Sequence, residues 1–480
     1  MSTMEMMGSD GTPRAVDAAK VGALRGAMRG ALLRPGDAGY EDARTVWNAM
    51  IDRRPALIAR CTGAADVMLA VDFARDHGVL LAVRGGGHNI AGKAVCDGGL
   101  MIDLSPMKFV HVDAERRTAH VGPGATLADL DHETQAFGLA VPVGINSTTG
   151  VAGLTLGGGF GWLSRKHGMT IDNLVAADVV TADGRLVRAS AGEHPDLFWA
   201  LRGGGGNFGV VTRFEFRLHP VGPSVLAGLV VYPLEQARAA LARYRDFAST
   251  LPDETAVWAV MRKAPPLPFL PPEVHGREVL IFAMFHGGDV ERGQAILDPV
   301  RRFGTPVGEH VGVQPLAAWQ AAFDPLLVPG ARNYWKSHNF ATLDDGFLDI
   351  VVDQLRRLPS TQTEVFIGQL GGAMARVAPN ATAYPGRNAA YVMNVHGRWD
   401  NASEDAAGIA WCRRLFEAAA PYATGEVYVN FLTEDEADRV PNAFGPNLQR
   451  LAQVKAAYDP QNLFHVNHNV RPVPSARAAA

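Results

Sequence analysis

The sequence predicts an α+β protein built from two units, the first of them completed by the far end of the chain. Three observations carry this expectation. From about Ile51 to Pro220, short β-branched runs alternate with helical stretches and glycine turns, the pattern of a layered domain. From Val221 to Thr424, longer strand-like runs ("VLIFAMFHG", "EVFIGQLGGA", "AAYVMNVHGRW") are interleaved with helices such as "LEQARAALARYRDFAS", which predicts an antiparallel sheet covered by helices. After Thr424 the chain mixes polar residues with aromatics and reads as a return to the first unit.

Bulk properties narrow the function classes. A chain of 480 residues, 47% hydrophobic and 20% charged, exceeds one small core and has room to enclose a large ligand. A net charge of -4 with interspersed signs offers no basic face, so neither nucleic acid nor a membrane surface is an expected partner. Cys61, Cys96 and Cys412 have neither paired nor metal-ligand spacing and are expected as buried thiols in a reducing compartment. No apolar run reaches the ~18 residues of a spanning helix, so a soluble, cytoplasmic protein is expected, with no metal site.

Along the chain, residues 1–38 are expected as a loose leader because glycines, acids and a proline interrupt them. The first unit is placed at 39–220. In "GAADVMLAVDFARDHG", Val67, Ala70, Val71 and Ala74 share one helical face and Gly78 follows the end. "VLLAVRGGG" reads as a strand entering a turn, "GLMIDLS", "KFVHVDA" and "RTAHVGP" as further strands, and "TLADLDHETQAFG" as a helix opened by threonine and closed by glycine. Asp183-Gly184 marks a hairpin in "LVAADVVTADGRLVRAS". Prolines and a glycine near Val221 mark the boundary to a second unit, 221–424, followed by a returning segment, 425–472, and a tail, 473–480.

Three glycine runs fall in the first unit: Gly85–Gly87, Gly157–Gly161 and Gly203–Gly206. Successive amides without Cβ atoms form a concave nest suited to a diphosphate, and any single run is equally a tight turn. Two familiar motifs do not fit. "GHNIAGKA" has Ala94 where a P-loop needs Ser or Thr, and "GGGNFG" leads into a strand where a dinucleotide fingerprint needs a helix. His88 directly follows the first run, as a capping residue or as a reactive imidazole.

"RGGGHNIAGKAVCDGGLMIDLS", "PVGINSTTGVAGLTLGGGFGWLSRKHGMTIDNLVAADVVTADG", "DLFWALRGGGGNFGVVTRFEF" and "YDPQNLFHVNHN" together resemble the FAD-linked oxidases of the berberine bridge enzyme family, from about Gly39 to Pro472. The resemblance implies a two-part FAD-binding domain of the vanillyl-alcohol oxidase (PCMH) type and an α+β substrate domain whose antiparallel sheet lies over the flavin. It implies that His88 bonds covalently to the flavin 8α-methyl carbon, with Arg84, Gly85, Gly86, Gly87 and Asn89 around the cofactor. Ser147, Thr148, Thr149, Gly150, Gly153 and Leu154 are the implied contacts of the next motif, and Gly158, Gly161 and Trp162 those of the third. Asn207, Gly209, Val211, Asn430, Asn467 and Asn469 complete the implied set. Many members carry a second, cysteinyl tether near the position of Asn146; with no cysteine there, FAD is expected on one bond, as in the subgroup that includes bacterial 6-hydroxynicotine oxidases.

On the substrate side, alternation along "AAYVMNVHGRW" places Asn394 and His396 on one face with Val392. Asn394, where the family often has Gln or Glu, cannot abstract a proton, which leaves His396 or Tyr391 as the base, against a half-exposed histidine of no function. Phe431 stands where the family often has tyrosine. Tyr428 and Asn430 are expected on one strand face, and Lys336 as a solvated or a pocket lysine. The resulting expectation is an oxidase that moves hydride from a C–H next to O or N of a small molecule to flavin N5 and on to O2, giving H2O2. A dehydrogenase or oxidative cyclase with another acceptor, and a flavin-binding protein without turnover, are the alternatives.

Overall fold

Val67, Ala70, Val71 and Ala74 line one side of helix Ala64–His77 and are buried against a small sheet, and Gly78, in the left-handed region at φ +60°, ends the helix. The computed structural model describes residues 2–474, so the last residues of the alanine-rich tail lie outside the described part. The small sheet has the order Leu32–Leu33, Leu57–Arg60, Leu100–Asp103, Leu81–Arg84, its last three strands parallel. Beside it, five antiparallel strands run in the order Leu186–Ser190, Leu174–Val180, Val210–Arg217, Thr118–Val121, Val110–Asp113. Gly184, at φ +80°, sits in the turn of the hairpin that joins the first two. Helix Leu127–Gln135 starts on a reciprocal cap: the Thr126 amide donates to Asp129 Oδ2 at 2.7 Å and the Asp129 amide to Thr126 Oγ1 at 3.4 Å.

The middle of the chain supplies a seven-stranded, wholly antiparallel sheet in the order Gly308–Pro315, Ser224–Pro233, Glu278–His286, Thr255–Lys263, Glu364–Gln369, Tyr391–Trp399, Arg332–Phe340. Helices Leu234–Ala248, Asp345–Leu355 and Asp405–Ala419 bury one face of it, where Tyr391, Met393 and Val395 point. The opposite face, with Trp258, Phe366 and Val392, packs on Trp162, Met169, Ile171 and Tyr428. Period-two alternation thus makes one strand serve two interfaces.

The N-terminal expectation is corrected. Thr3–Met7 pairs with Pro13–Asp17 as a hairpin turning at Gly11 (φ +77°), and Asp17 caps helix Ala18–Ala27. Met6, Val16, Val21, Leu24, Met28 and Leu32 are buried in the core of the small sheet. The polar residues that make the segment look loose are its solvent side. "YVNFL" is likewise no strand: Val429–Phe431 is a single 3-10 turn. No helix among the described residues is long and apolar enough to cross a membrane.

The end of the chain is tied to the first unit through a buried lysine that also holds an ion pair within its own segment. Lys455, on helix Leu448–Tyr458, is wholly buried, and its Nζ donates to Asp459 Oδ2 (2.6 Å), Asn207 O (2.7 Å) and Phe464 O (2.9 Å). Asp459 also accepts from the amides of Leu463 and Phe464. Removing one member leaves the other charged and unpaired in the interior, so Lys455→Met is expected to cost about 3–5 kcal/mol in denaturant unfolding. Arg302→Ala, at the exposed pair with Asp298, is expected to cost less than about 1 kcal/mol.

Candidate active site

Strand Leu81–Arg84 delivers the chain to Gly85–Gly87, and the cavity begins there. A Cβ on Gly86 would stand 2.4 Å from Gly150 N, and one on Gly150 2.4 Å from Gly86 N. Only glycine lets these two backbones touch. Gly86, Gly87, His88 and Asn89 border the cavity, and their consecutive amides donate to no other group among the described residues. Unbonded amides in a row form an anion-binding concavity, the chemistry that a diphosphate needs.

The hydrogen-bond network assigns the protons of His88. The amide and the hydroxyl of Thr148 both donate to Asn146 Oδ1, at 3.1 and 2.7 Å. With its proton committed, Thr148 Oγ1 accepts from His88 Nε2 at 3.0 Å. Nε2 therefore carries the hydrogen and Nδ1 the lone pair. Trp47 stacks on the imidazole at 5.1 Å and 19°, and burial lowers the histidine to about 4. His88 is thus a neutral, oriented imidazole whose Nδ1 lone pair is left unengaged by this network.

Across the cavity lies the roof formed by the seven-stranded sheet. Trp258, Trp335, Glu364, Phe366, Asn394 and His396 border the space from it. Asn394 is completely buried, and both its Oδ1 and its Nδ2 lack a partner among the described residues. An unpaired buried amide costs about 1–3 kcal/mol, which marks it for a ligand's donor and acceptor. His396 is 4% exposed, not half-exposed. Its Nδ1 lies 3.6 Å from Glu364 Oε1 and its Nε2 3.2 Å from Asn333 Oδ1, and Trp335 meets it edge-on. Phe160, Tyr428 and Phe431 close the side of the space with edge-on aromatic contacts.

The structure sorts the residues expected at this site. Gly85, Gly86, Gly87, His88, Asn89, Thr149, Gly150, Gly153, Leu154, Asn207, Gly209, Val211, Asn430 and Asn467 border the cavity, as do Asn394, His396 and Tyr428. Thr148 acts through His88. Others are corrected. Arg84 is tied to Asp103 (3.0 Å) and Thr45 O. Ser147 gives its amide and hydroxyl to Asp324. Asn469 does not border the space. Gly158, Gly161 and Trp162 lie outside it too, and their glycine run makes close packing: a Cβ on Gly159 would strike Thr170 Oγ1 at 2.1 Å, and one on Gly161 Val143 O at 2.0 Å.

Tyr391 faces the helices, because an odd position on that strand shares the side of Met393 and Val395. Tyr428 receives the Gly159 amide and Asn430 Nδ2 on its hydroxyl, both at 2.9 Å, and burial pushes its pKa up to about 12, which disfavours a phenolate. Lys336 is neither solvated nor in the cavity. It is buried in ion pairs with Asp435 (3.0 Å) and Glu436 (3.3 Å). Sequence reasoning missed Trp47, Glu364 and Asn333; only the alternation of Glu364 with Phe366 in "EVFIGQ" hinted at one of them.

Known proteins resemble this chain in sequence and in fold. Residues 55–190 match the "FAD binding domain" family model and residues 427–471 the "Berberine and berberine like" model. An FAD-linked oxidoreductase of Dictyostelium discoideum is 32% identical over 453 residues, covering 93% of this chain and 95% of that protein. The (R)-6-hydroxynicotine oxidase of Paenarthrobacter nicotinovorans is 30% identical over 461 residues, covering 93% and 97%. The crystal structure of 6-hydroxy-D-nicotine oxidase from Arthrobacter nicotinovorans superposes with a TM-score of 0.84 at 28% identity, over 93% of this chain and 98% of that one. A Physcomitrella patens berberine bridge enzyme-like protein, at 24% identity and a TM-score of 0.85, shares the fold. From these matches, this chain belongs to the berberine bridge enzyme family of FAD-linked oxidoreductases.

Proposed function

We propose that the protein is an oxidase that holds FAD by one covalent bond, through His88 Nδ1, and oxidises a small molecule at a C–H next to nitrogen or oxygen. One observation carries the reading: a single cavity is bounded on one side by His88 and the unbonded amides of Gly86–Asn89, and on the other by the polar pair Asn394 and His396. FAD, when bound, supplies the two-electron acceptor that no side chain provides.

The rest is work for the chain's own groups. The Asn146–Thr148 relay keeps Nε2 protonated and leaves Nδ1 as the nitrogen that would hold the flavin. Asn146, where a second tether would need a cysteine, serves the first tether instead. Asn394 presents a donor and an acceptor to the substrate. His396 takes the proton of the neighbouring N–H or O–H as hydride leaves carbon, so a C–X single bond becomes C=X. O2 takes the two electrons and two protons and leaves as H2O2. Trp335, Phe366 and Phe431 form an aromatic enclosure that favours a flat, largely apolar substrate over a sugar. The likeness to the (R)-6-hydroxynicotine oxidase supports an amine as the first compound to test.

Two outcomes are expected for the tether. After acid precipitation the protein keeps its yellow flavin, whereas His88→Ala releases it to the supernatant; colour lost from the parent contradicts the bond. Thr148→Val slows attachment by about tenfold or more when apoprotein is mixed with FAD and the fluorescent band is followed on a denaturing gel. Because burial holds His88 at about 4, its neutral form is complete throughout pH 6 to 9, and the attachment rate carries no limb from His88 there. A rate that climbs across this range would show an imidazole protonated at neutral pH.

For turnover, anaerobic mixing with secondary amines, (R)-6-hydroxynicotine among them, alcohols, phenols and sugars is expected to bleach the flavin with an amine or a phenol. Air is expected to restore the colour within seconds; restoration only by an added dye or quinone places the protein among the dehydrogenases. His396→Ala is expected to slow bleaching by ~10²-fold or more with the flavin still attached. An unchanged rate from pH 5 to 9 removes His396 from the chemistry.

A further inference from the structure

On the roof sheet, cross-strand register sets four residues in one row: Arg262 opposite Glu364, Glu364 opposite His396, and His396 opposite Trp335. Arg262 Nη1 donates to Glu364 Oε2 at 2.6 Å, which fixes the carboxylate from behind. The other oxygen, Oε1, stands 3.6 Å from His396 Nδ1. None of these three ionisable side chains is more than 13% exposed.

The opposite ring nitrogen is assigned by Asn333. The Asn333 Nδ2 donates to Ala331 O at 2.8 Å, so the other amide atom is the oxygen, and it accepts from Arg398 Nη1 at 3.2 Å. His396 Nε2 meets that same oxygen at 3.2 Å and must donate to it. Nε2 therefore holds the hydrogen of the neutral ring. Nδ1 is the atom left to accept a proton, and it is the atom beside the carboxylate.

We infer that Glu364 supports the proton acceptor: anchored by Arg262, it stands beside Nδ1, the His396 atom that receives the substrate's proton, and stabilises the imidazolium that results, while Asn333 holds the ring. This rests on the reading that His396 takes that proton. The step balances simply: the substrate N–H or O–H bond breaks, its proton forms the Nδ1–H bond, and the charge created on the ring faces a carboxylate already in place. Trp335 and Trp47 pack against the ring without competing for Nδ1.

The charged groups facing His396 are Glu364 from strand Glu364–Gln369, Arg262 from strand Thr255–Lys263 and Arg398 from its own strand; Asn333 and Trp335 face it from strand Arg332–Phe340 and carry no charge. Burial holds the imidazole below its usual value, Glu364 works against that, and the two arginines add to it. Removing the carboxylate's charge therefore lowers the histidine further. Since the ring accepts a proton only when neutral, the limb it imposes on turnover moves to lower pH.

The test uses the flavin-loaded protein labelled with 15N in the histidine rings, with His396→Gln identifying the His396 signals. In the parent these signals are expected to show the Nε2–H form. Glu364→Gln is expected to lower the midpoint of their titration by about one unit or more. Glu364→Asp, which keeps the charge but withdraws it, is expected to give a smaller fall, and it serves alone if Arg262 without its partner prevents Glu364→Gln from folding. A midpoint unmoved in either folded variant, or a parent ring in the Nδ1–H form, overturns the assignment. His396→Gln reducing its flavin at the parent rate would sink the underlying reading instead, by a separate observation. A Glu364 that only braces the sheet would slow turnover without moving the midpoint.

Discussion

The site depends on the docking of two separately built parts, which pack through a broad apolar face and are pinned beside the cavity by the side chain of one asparagine. Asn48 donates from Nδ2 to Ile90 O (3.3 Å) and Asn333 O (2.9 Å), and its Oδ1 accepts from the amide of Asn333 at 2.9 Å. The backbones on either side join in, Ala49 N to Ala331 O at 3.0 Å and Gly330 N to Trp47 O at 3.3 Å, and Trp47 Nε1 reaches Leu327 O. This seam places the end of the roof sheet beside the loop that carries His88. Within the roof, a one-residue slip of strand Tyr391–Trp399 against its two neighbours would present Tyr391, Met393 and Val395 to the cavity instead of Asn394 and His396.

From that seam the electrostatics follow a consistent plan. Trp47 lies between His88, on which it stacks, and the Arg398 guanidinium, 5.3 Å from its ring. The two histidines that matter are both kept below their usual pKa by burial, yet they differ in what faces the free nitrogen. Among the described residues no carboxylate pairs with His88, which under the proposed function leaves its Nδ1 suited to form a bond. His396 Nδ1 has Glu364 beside it and is suited to hold a proton that arrives. Under the proposed function, identical side chains take different tasks according to the atoms that claim their Nε2 hydrogens, Thr148 Oγ1 in one case and Asn333 Oδ1 in the other.

Much of this was legible in the sequence, and the rest was hidden for identifiable reasons. Helix Ala64–His77 and strand Tyr391–Trp399 follow from local periodicity, which is why Asn394 and His396 could be paired on one face in advance. The same periodicity excludes Tyr391, whose nearness in sequence misled. Glu364 and Asn333 matter only through cross-strand register, a long-range property that no local window contains. Trp47 and Asn48 lie outside helix and strand, where side-chain partners cannot be inferred. Gly85–Gly87 and Gly157–Gly161 look alike on paper; one run leaves amides free, while the other lets Asn430, Thr170 and Val143 approach. The N-terminal hairpin was hidden by the polar residues of its outer side.

The central claim is that His88, prepared by Thr148 and Trp47, carries the one covalent bond to FAD on which the cavity is organised. Mass analysis of a tryptic digest tests it most directly, because cleavage after Arg84 and Lys93 isolates the segment from Gly85 to Lys93 with His88 as its sole histidine. The account predicts that this peptide carries a single flavin adduct, fragmenting to place it on His88, and that no other peptide is modified. Recovery of the unmodified peptide from protein purified yellow, or an adduct on any other residue, would contradict it.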